Sequence, residues 1–146
     1  MEIERTIQFI GNHWILSSGH FIVSLLLVQD LYDTVTRKYK TASPAAAVRL
    51  LNQDDTLVID VRDPAEYAKG HIEGARQISL ARLKEKLFEL EPHKNAPILV
   101  YCQQGTTAKE ACKQLSAGGF TQVYYLEGGI ITWQDQKLPL VRKNKK

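Results

Sequence analysis

Cysteine is scarce in this chain: among 146 residues there are two, Cys102 and Cys112. Two thiols make no disulfide framework, and theirs is not the Cys-x-x-Cys spacing of a zinc site. Histidine is equally sparse. His13, His20, His71 and His93 are scattered without an i, i+4 pair, so neither a resident metal nor another cofactor is expected. The chain has no P-loop glycine motif, no Gly-x-Gly-x-x-Gly and no internal repeat, which excludes the common nucleotide cradles and the solenoids. A net charge of +3 with no basic stripe and no interleaved aromatics argues against a nucleic-acid partner. The positive charge gathers instead at Arg37, Lys38 and Lys40 and at the tail Arg142, Lys143, Lys145 and Lys146, leaving a near-neutral body. Hydrophobic residues at 44% and charged residues at 24% are ordinary for a globular protein. The length accommodates one domain with about 40 residues to spare.

Those spare residues differ in kind from the rest. Trp14 to Val28 reads WILSSGHFIVSLLLV, with no formal charge apart from a titratable His20, and Ile7, Phe9 and Ile10 extend the apolar character upstream. A helix from Ile7 to Val28 would reach about 33 Å, enough for a hydrocarbon core of about 30 Å. Gln8, Asn12, His13 and His20 are costly in lipid, so a helix lying on a membrane or against a partner is the competing reading. No small-residue cleavage site follows Val28. We therefore expect residues 1–40 to hold a single-pass membrane anchor and a basic linker, followed by a globular domain over 41–139 and a basic tail over 140–146. Arg37, Lys38 and Lys40 follow the apolar run, and the positive-inside bias then puts the carboxyl-terminal domain in the cytoplasm.

From Thr41 the pattern alternates between helix and strand. Ser43 is a helix N-cap with Pro44 at the first helical position. Leu57 to Val61, Arg76 to Ser79, Pro97 to Tyr101 and Gln122 to Leu126 read as strands. Helices are expected after Asp63-Pro64, over Leu80 to Leu90, over Thr106 to Ala117 and from Gly129. Strands that are unbroken apolar runs separated by helices imply an α/β fold with a parallel sheet covered on both faces.

The most informative segment is LVYCQQGTTA, Leu99 to Ala108. It places Cys102 at the carboxyl end of a strand and the amino end of a helix, where unpaired N–H groups and the helix dipole favour thiolate. In open parallel sheets, ligands bind beyond that edge. Backbone N–H groups from Gln103, Gln104, Gly105, Thr106 and Thr107 are expected to cradle an anionic sulfur as a nest, with Gly105 allowing the tight curl. The Thr106 and Thr107 hydroxyls either point inward or cap the helix. Cys112, inside that helix, is expected to be buried.

Two further stretches, DVRDPAEYAKGHIEGA (Asp60 to Ala75) and LEGGIITW (Leu126 to Trp133), complete a pattern. With the cysteine loop they closely resemble the rhodanese (sulfurtransferase) domain family over about Thr41 to Pro139. The resemblance implies a three-layer fold with a central five-stranded parallel sheet. It also implies a catalytic Cys102 that carries sulfane sulfur as a persulfide between a small-molecule or protein donor and a thiol acceptor. Family members that act on thiosulfate commonly carry Arg or Lys in the loop, whereas Gln103, Thr106 and Thr107 are neutral here. Thiosulfate is therefore a doubtful donor, and a non-catalytic, membrane-anchored interaction module is the alternative. The phosphatases of the same architecture need an Arg six positions after the cysteine, where this chain has Ala108. Asp60 and Arg62 are read as supporting residues, with an Arg62–Glu66 ion pair fixing the strand-to-helix connection. His71 and Trp133 are read as packed structural side chains.

Overall fold

The computed structural model describes residues 2–5, 8, 14–35 and 38–142. The chain divides into two compact units, Met1–Arg37 and Lys38–Lys146.

In the first unit, helix α1 spans Trp14–Val35. It runs past the expected end at Val28 because QDLYDTV contains no proline or glycine to stop it. The expected upstream residues Ile7, Phe9 and Ile10 lie outside the described residues. Within α1, the stretch Trp14–Tyr32 is long and apolar enough to cross a membrane, and none of it is buried. Nineteen residues at 1.5 Å each give about 28 Å, close to a hydrocarbon core of about 30 Å. Exposed Phe21, Ile22, Val23, Leu25, Leu26, Leu27 and Val28 cover the whole helical circumference rather than one face.

The second unit is α/β. Its strands are β1 (Tyr39–Ala42), β2 (Leu57–Asp60), β3 (Arg76–Gln77), β4 (Pro97–Tyr101) and β5 (Gln122–Leu126). They form one five-stranded sheet in the order β1-β5-β4-β2-β3, with every pairing parallel. The helices are α2 (Pro44–Leu51), α3 (Pro64–Lys69), α4 (Leu80–Leu90), α5 (Thr106–Ala117) and α6 (Gly129–Asp135), with a 3-10 turn at Glu91–His93. Ser43 caps α2 as expected, its hydroxyl accepting the Ala46 N–H at 3.3 Å.

Alternation along the strands builds two cores. Leu57, Ile59, Ile98, Val100, Val123 and Tyr125 face α4 and α5. Val58, Leu99, Tyr101 and Leu126 face α2 and α6, where Trp133 sits 2% exposed with its indole N–H on the Pro139 carbonyl at 3.0 Å. Both faces are therefore covered, and the expected three layers are present.

The edges of the domain differ from the expectation at both ends. Tyr39 and Lys40, placed above in the linker, are strand residues in register with Val123 and Tyr124. Leu140 packs on the second core, and Val141 exchanges backbone hydrogen bonds with His71 at 2.8 and 2.9 Å, so the start of the tail belongs to the domain. His71 is packed as expected: its ring stacks on Tyr67 at 3.7 Å, and Nδ1 donates to the Tyr67 carbonyl at 2.9 Å.

Candidate active site

From β2 the chain moves outward to β3, and from β4 it moves the other way to β5. The strand order thus reverses between β2 and β4, and the connections leaving the carboxyl ends of those two strands diverge around a crevice. Cys102 is the first residue after β4 and lies on the floor of that crevice, a cleft of about 640 Å³. One wall follows β2 and comprises Val61, Arg62, Asp63 and Glu66. The opposite wall is Ser79, Leu80 and Ala81, between β3 and α4, and Gln103 and Thr107 complete the rim.

Cys102 is 4% exposed, and its sulfur accepts two backbone hydrogen bonds: from the Gly105 N–H at 2.9 Å and from the Ala108 N–H at 3.4 Å. Both donors belong to the start of α5, whose first turn has no intrahelical acceptors to offer them. They converge because Gly105, the N-cap, is left-handed with φ of 101°, a conformation glycine adopts without penalty. N–H groups held on a sulfur at a helix start stabilise negative charge there.

Not all of the expected cradle takes part. Gln103 and Thr107 line the cleft with Cys102, and Gly105 supplies an N–H, whereas Gln104 and Thr106 are exposed and outside the lining. Neither threonine caps α5, because Gly105 holds the N-cap position without any side-chain bond. The second donor, Ala108, was not among the expected residues; its signal was its place one turn into the helix, six residues after the thiol.

Beneath the cleft the carbonyl oxygens of the loop are also engaged. The Ile130 N–H bonds the Cys102 carbonyl at 2.9 Å, and the Ile131 N–H bonds that of Gln103 at 3.4 Å. Loop carbonyls thereby receive the free N–H groups of α6, so the thiol sits between two helix starts.

Asp60 stands in register with Tyr101, the residue before Cys102. It is fully buried and accepts from its near neighbour Arg62: from the backbone N–H at 2.9 Å, from Nε at 3.0 Å and from a terminal guanidinium nitrogen at 2.6 Å. That nitrogen also donates to the Gly70 carbonyl at 2.8 Å. Although burial opposes it, Asp60 holds the Arg62 guanidinium more firmly protonated than usual. The expected Arg62–Glu66 pair is absent, because Glu66 binds Lys69 at 2.5 Å on the surface of α3. Around Arg62, Gln77 donates to its carbonyl at 2.7 Å and the Tyr101 ring lies 5.6 Å away. The pair therefore ties together the ends of β2, β3 and β4. It supports the cleft without touching sulfur.

Cys112 is fully buried in the core against α4 and α5. Burial, and secondarily the nearby Cys102, push its thiol far above the usual range, so it stays protonated. Iodoacetamide should accordingly modify one thiol per native chain, at Cys102, and two in denaturant. Comparable native labelling of Cys112, read by peptide mass spectrometry, would contradict this arrangement. Among the described residues no cluster of three or more His, Cys, Asp or Glu side chains could hold a metal ion.

Comparison with known proteins agrees with this geometry. The family model "Rhodanese-like domain" matches residues 43–136. The uncharacterized protein YibN of Escherichia coli strain K12 is 33% identical over 141 residues, covering 96% of this chain and 99% of its own. The thiosulfate sulfurtransferase GlpE of Coxiella burnetii is 36% identical over 96 residues, 66% of this chain and 88% of its own. Among solved structures, a rhodanese-related protein from Thermoplasma volcanium superimposes with a TM-score of 0.65 at 28% identity, over 72% of this chain and all of that one. A thiol at the switch point of a five-stranded parallel sheet and a matching family model over most of the chain lead to one conclusion: the chain belongs to the rhodanese-like domain family.

Proposed function

We propose that the protein is a membrane-tethered sulfurtransferase that carries sulfane sulfur as a persulfide on Cys102. The observation that carries this reading is the pair of helix-start N–H groups on the Cys102 sulfur inside an open cleft. In the first half-reaction the Cys102 thiolate attacks the sulfane sulfur of a donor. The donor's bond to that sulfur breaks, its remainder leaves with the electron pair, and a Cys102 persulfide remains. In the second, an acceptor thiolate attacks the outer sulfur, the persulfide bond breaks, and Cys102 departs as thiolate. No external oxidant is consumed, because the transferred sulfur stays at the sulfane oxidation level throughout.

Gln103 stands at the rim where a cation would serve an oxyanion, and the one guanidinium in the lining is engaged by Asp60. This supports a donor other than thiosulfate, such as a low-molecular-weight or protein persulfide. The same absence of a free cation favours a second reading, a binding module that uses the cleft for a partner.

Incubation with thiosulfate and with a glutathione persulfide donor, followed by intact-mass measurement, separates the readings. A carrier gains about 32 Da, one sulfur atom, and Cys102→Ser gains nothing. A wild-type chain that gains no mass from either donor is the binding module; a Cys102→Ser chain that still gains it carries its sulfur elsewhere.

The tether is α1. A helix apolar around its whole circumference suits a span better than an interfacial position, which needs a polar face. Arg37, Lys38 and Lys40 after it set the cleft on the cytoplasmic side, a reducing compartment in which a thiol carrier survives.

A further inference from the structure

Every charge on the wall after β2 has a partner except one. Arg62 is bound to Asp60 and to the Gly70 carbonyl, and Glu66 is bound to Lys69. Asp63 occupies the N-cap position of α3, yet its side chain makes no cap bond. Among the described residues it has no ion-pair partner either. Asp63, exposed and unpaired among the described residues, therefore brings a carboxylate to the wall of the cleft that also holds Cys102. Glu66 is ionised too, since the Lys69 ammonium holds its carboxyl below the usual range, but that same ammonium balances its charge. The rest of the lining, Val61, Leu80 and Ala81 with the hydroxyls of Ser79 and Thr107, is uncharged.

We infer that Asp63 is a specificity residue, and that the cleft selects sulfur substrates bearing a cationic group beside the reacting sulfur: aminothiols and their persulfides, in preference to anionic thiols and oxyanions. This rests on the sulfur-carrier reading above and supplies the substrate class that reading leaves open. A carboxylate beside the nucleophile draws an ammonium-bearing reactant in and repels an anion, and such steering weakens as salt shortens the Debye length. Transfer follows the balanced steps above: an aminothiol thiolate takes the outer sulfur and leaves as its own persulfide, with its ammonium near Asp63.

The test uses full-length protein in a non-ionic detergent and three methanethiosulfonates of similar size: 2-aminoethyl (cation), 2-sulfonatoethyl (anion) and methyl (neutral). The Cys102 thiolate attacks the sulfenyl sulfur of each, methanesulfinate leaves, and a mixed disulfide forms. Each charged-reagent rate is divided by the neutral rate for the same variant, then by the same quotient for free 2-mercaptoethanol. At low ionic strength the cation-to-anion preference should be about threefold, set by the one unpaired carboxylate, Asp63. It should fall about threefold in Asp63→Asn, a substitution that keeps a favoured N-cap residue, and should shrink at high salt. In a second arm, the persulfidated chain should hand sulfur to cysteamine faster than to 3-mercaptopropionate, again less so in Asp63→Asn. A preference of one, or one unchanged by Asp63→Asn, in a chain that does form the persulfide overturns this inference and leaves the carrier reading intact. A chain that forms no persulfide from any donor overturns both.

Discussion

Gly129→Ala is expected to lower stability more than any other single glycine replacement with a described neighbour outside its own helix, and to disturb the thiol at the same time. Gly129 opens α6 with φ of +64°, and a Cβ there would lie 2.5 Å from both the Cys102 and the Gln103 carbonyl oxygens. These are backbone atoms, so no side chain can swing aside. Positive φ costs an alanine about 1–2 kcal/mol, and forcing the loop away adds about 1–3 kcal/mol of overpacking strain. The sum, roughly 2–5 kcal/mol, is a large part of a domain stability of about 5–15 kcal/mol. Gly74→Ala is the natural control, since Gly74 has φ of +76° but nothing within 4 Å of the added carbon. It should cost only the backbone strain. Urea unfolding of both variants, with the Cys102 alkylation rate measured alongside, checks the difference. Equal losses in the two would mean that close approach to the loop contributes nothing.

The second large effect is one of location. Full-length protein should stay with membranes through high-salt and alkaline washes, because burial of an apolar span is indifferent to screening. A chain beginning at Lys38, the start of the second compact unit, should be soluble and should keep its Cys102 reactivity. A cut after Lys40 is predicted to behave differently, since it removes half of β1. Tyr39, 8% exposed and packed edge-on against Tyr125 at 6.1 Å, would be lost, at a cost comparable to about 3–5 kcal/mol for deleting a buried aromatic. Attachment through Arg37, Lys38, Lys40 and the basic tail alone would be released by salt, and sedimentation after each wash decides the matter.

Much of this fold is legible in the sequence because the relevant signals are local. Ser43-Pro44 announces α2, and the apolar runs at Leu57, Pro97 and Gln122 announce β2, β4 and β5. β1 is not legible. Tyr-Lys-Thr-Ala follows a basic cluster, buries only its two ends, and becomes a strand only because β5 stands beside it. The floor of the cleft could be read from Cys102 at a strand-to-helix junction. Its far wall at Ser79–Ala81 could not, because it is set by β3 lying next to β2, a long-range pairing that no spacing encodes. Arg62 illustrates a third kind of miss. An ion pair to Glu66 across the strand-to-helix connection is the expectation, but Arg62 folds back on Asp60, two residues before it. The identities of the sulfur-facing N–H groups are a fourth, since they depend on the left-handed turn at Gly105.

The hydrogen bonds from Ile130 and Ile131 to the cysteine loop have a consequence for the order in which the domain matures. α6 is the last helix of the domain, and β1, its first strand, pairs only with β5, among its last elements. Such pairings are distant along the chain and form late in folding. Until they form, the Cys102 and Gln103 carbonyls lack the partners that Ile130 and Ile131 supply. Ordering of the cysteine loop is therefore tied to completion of the fold, because the partners of its carbonyls come from the last helix.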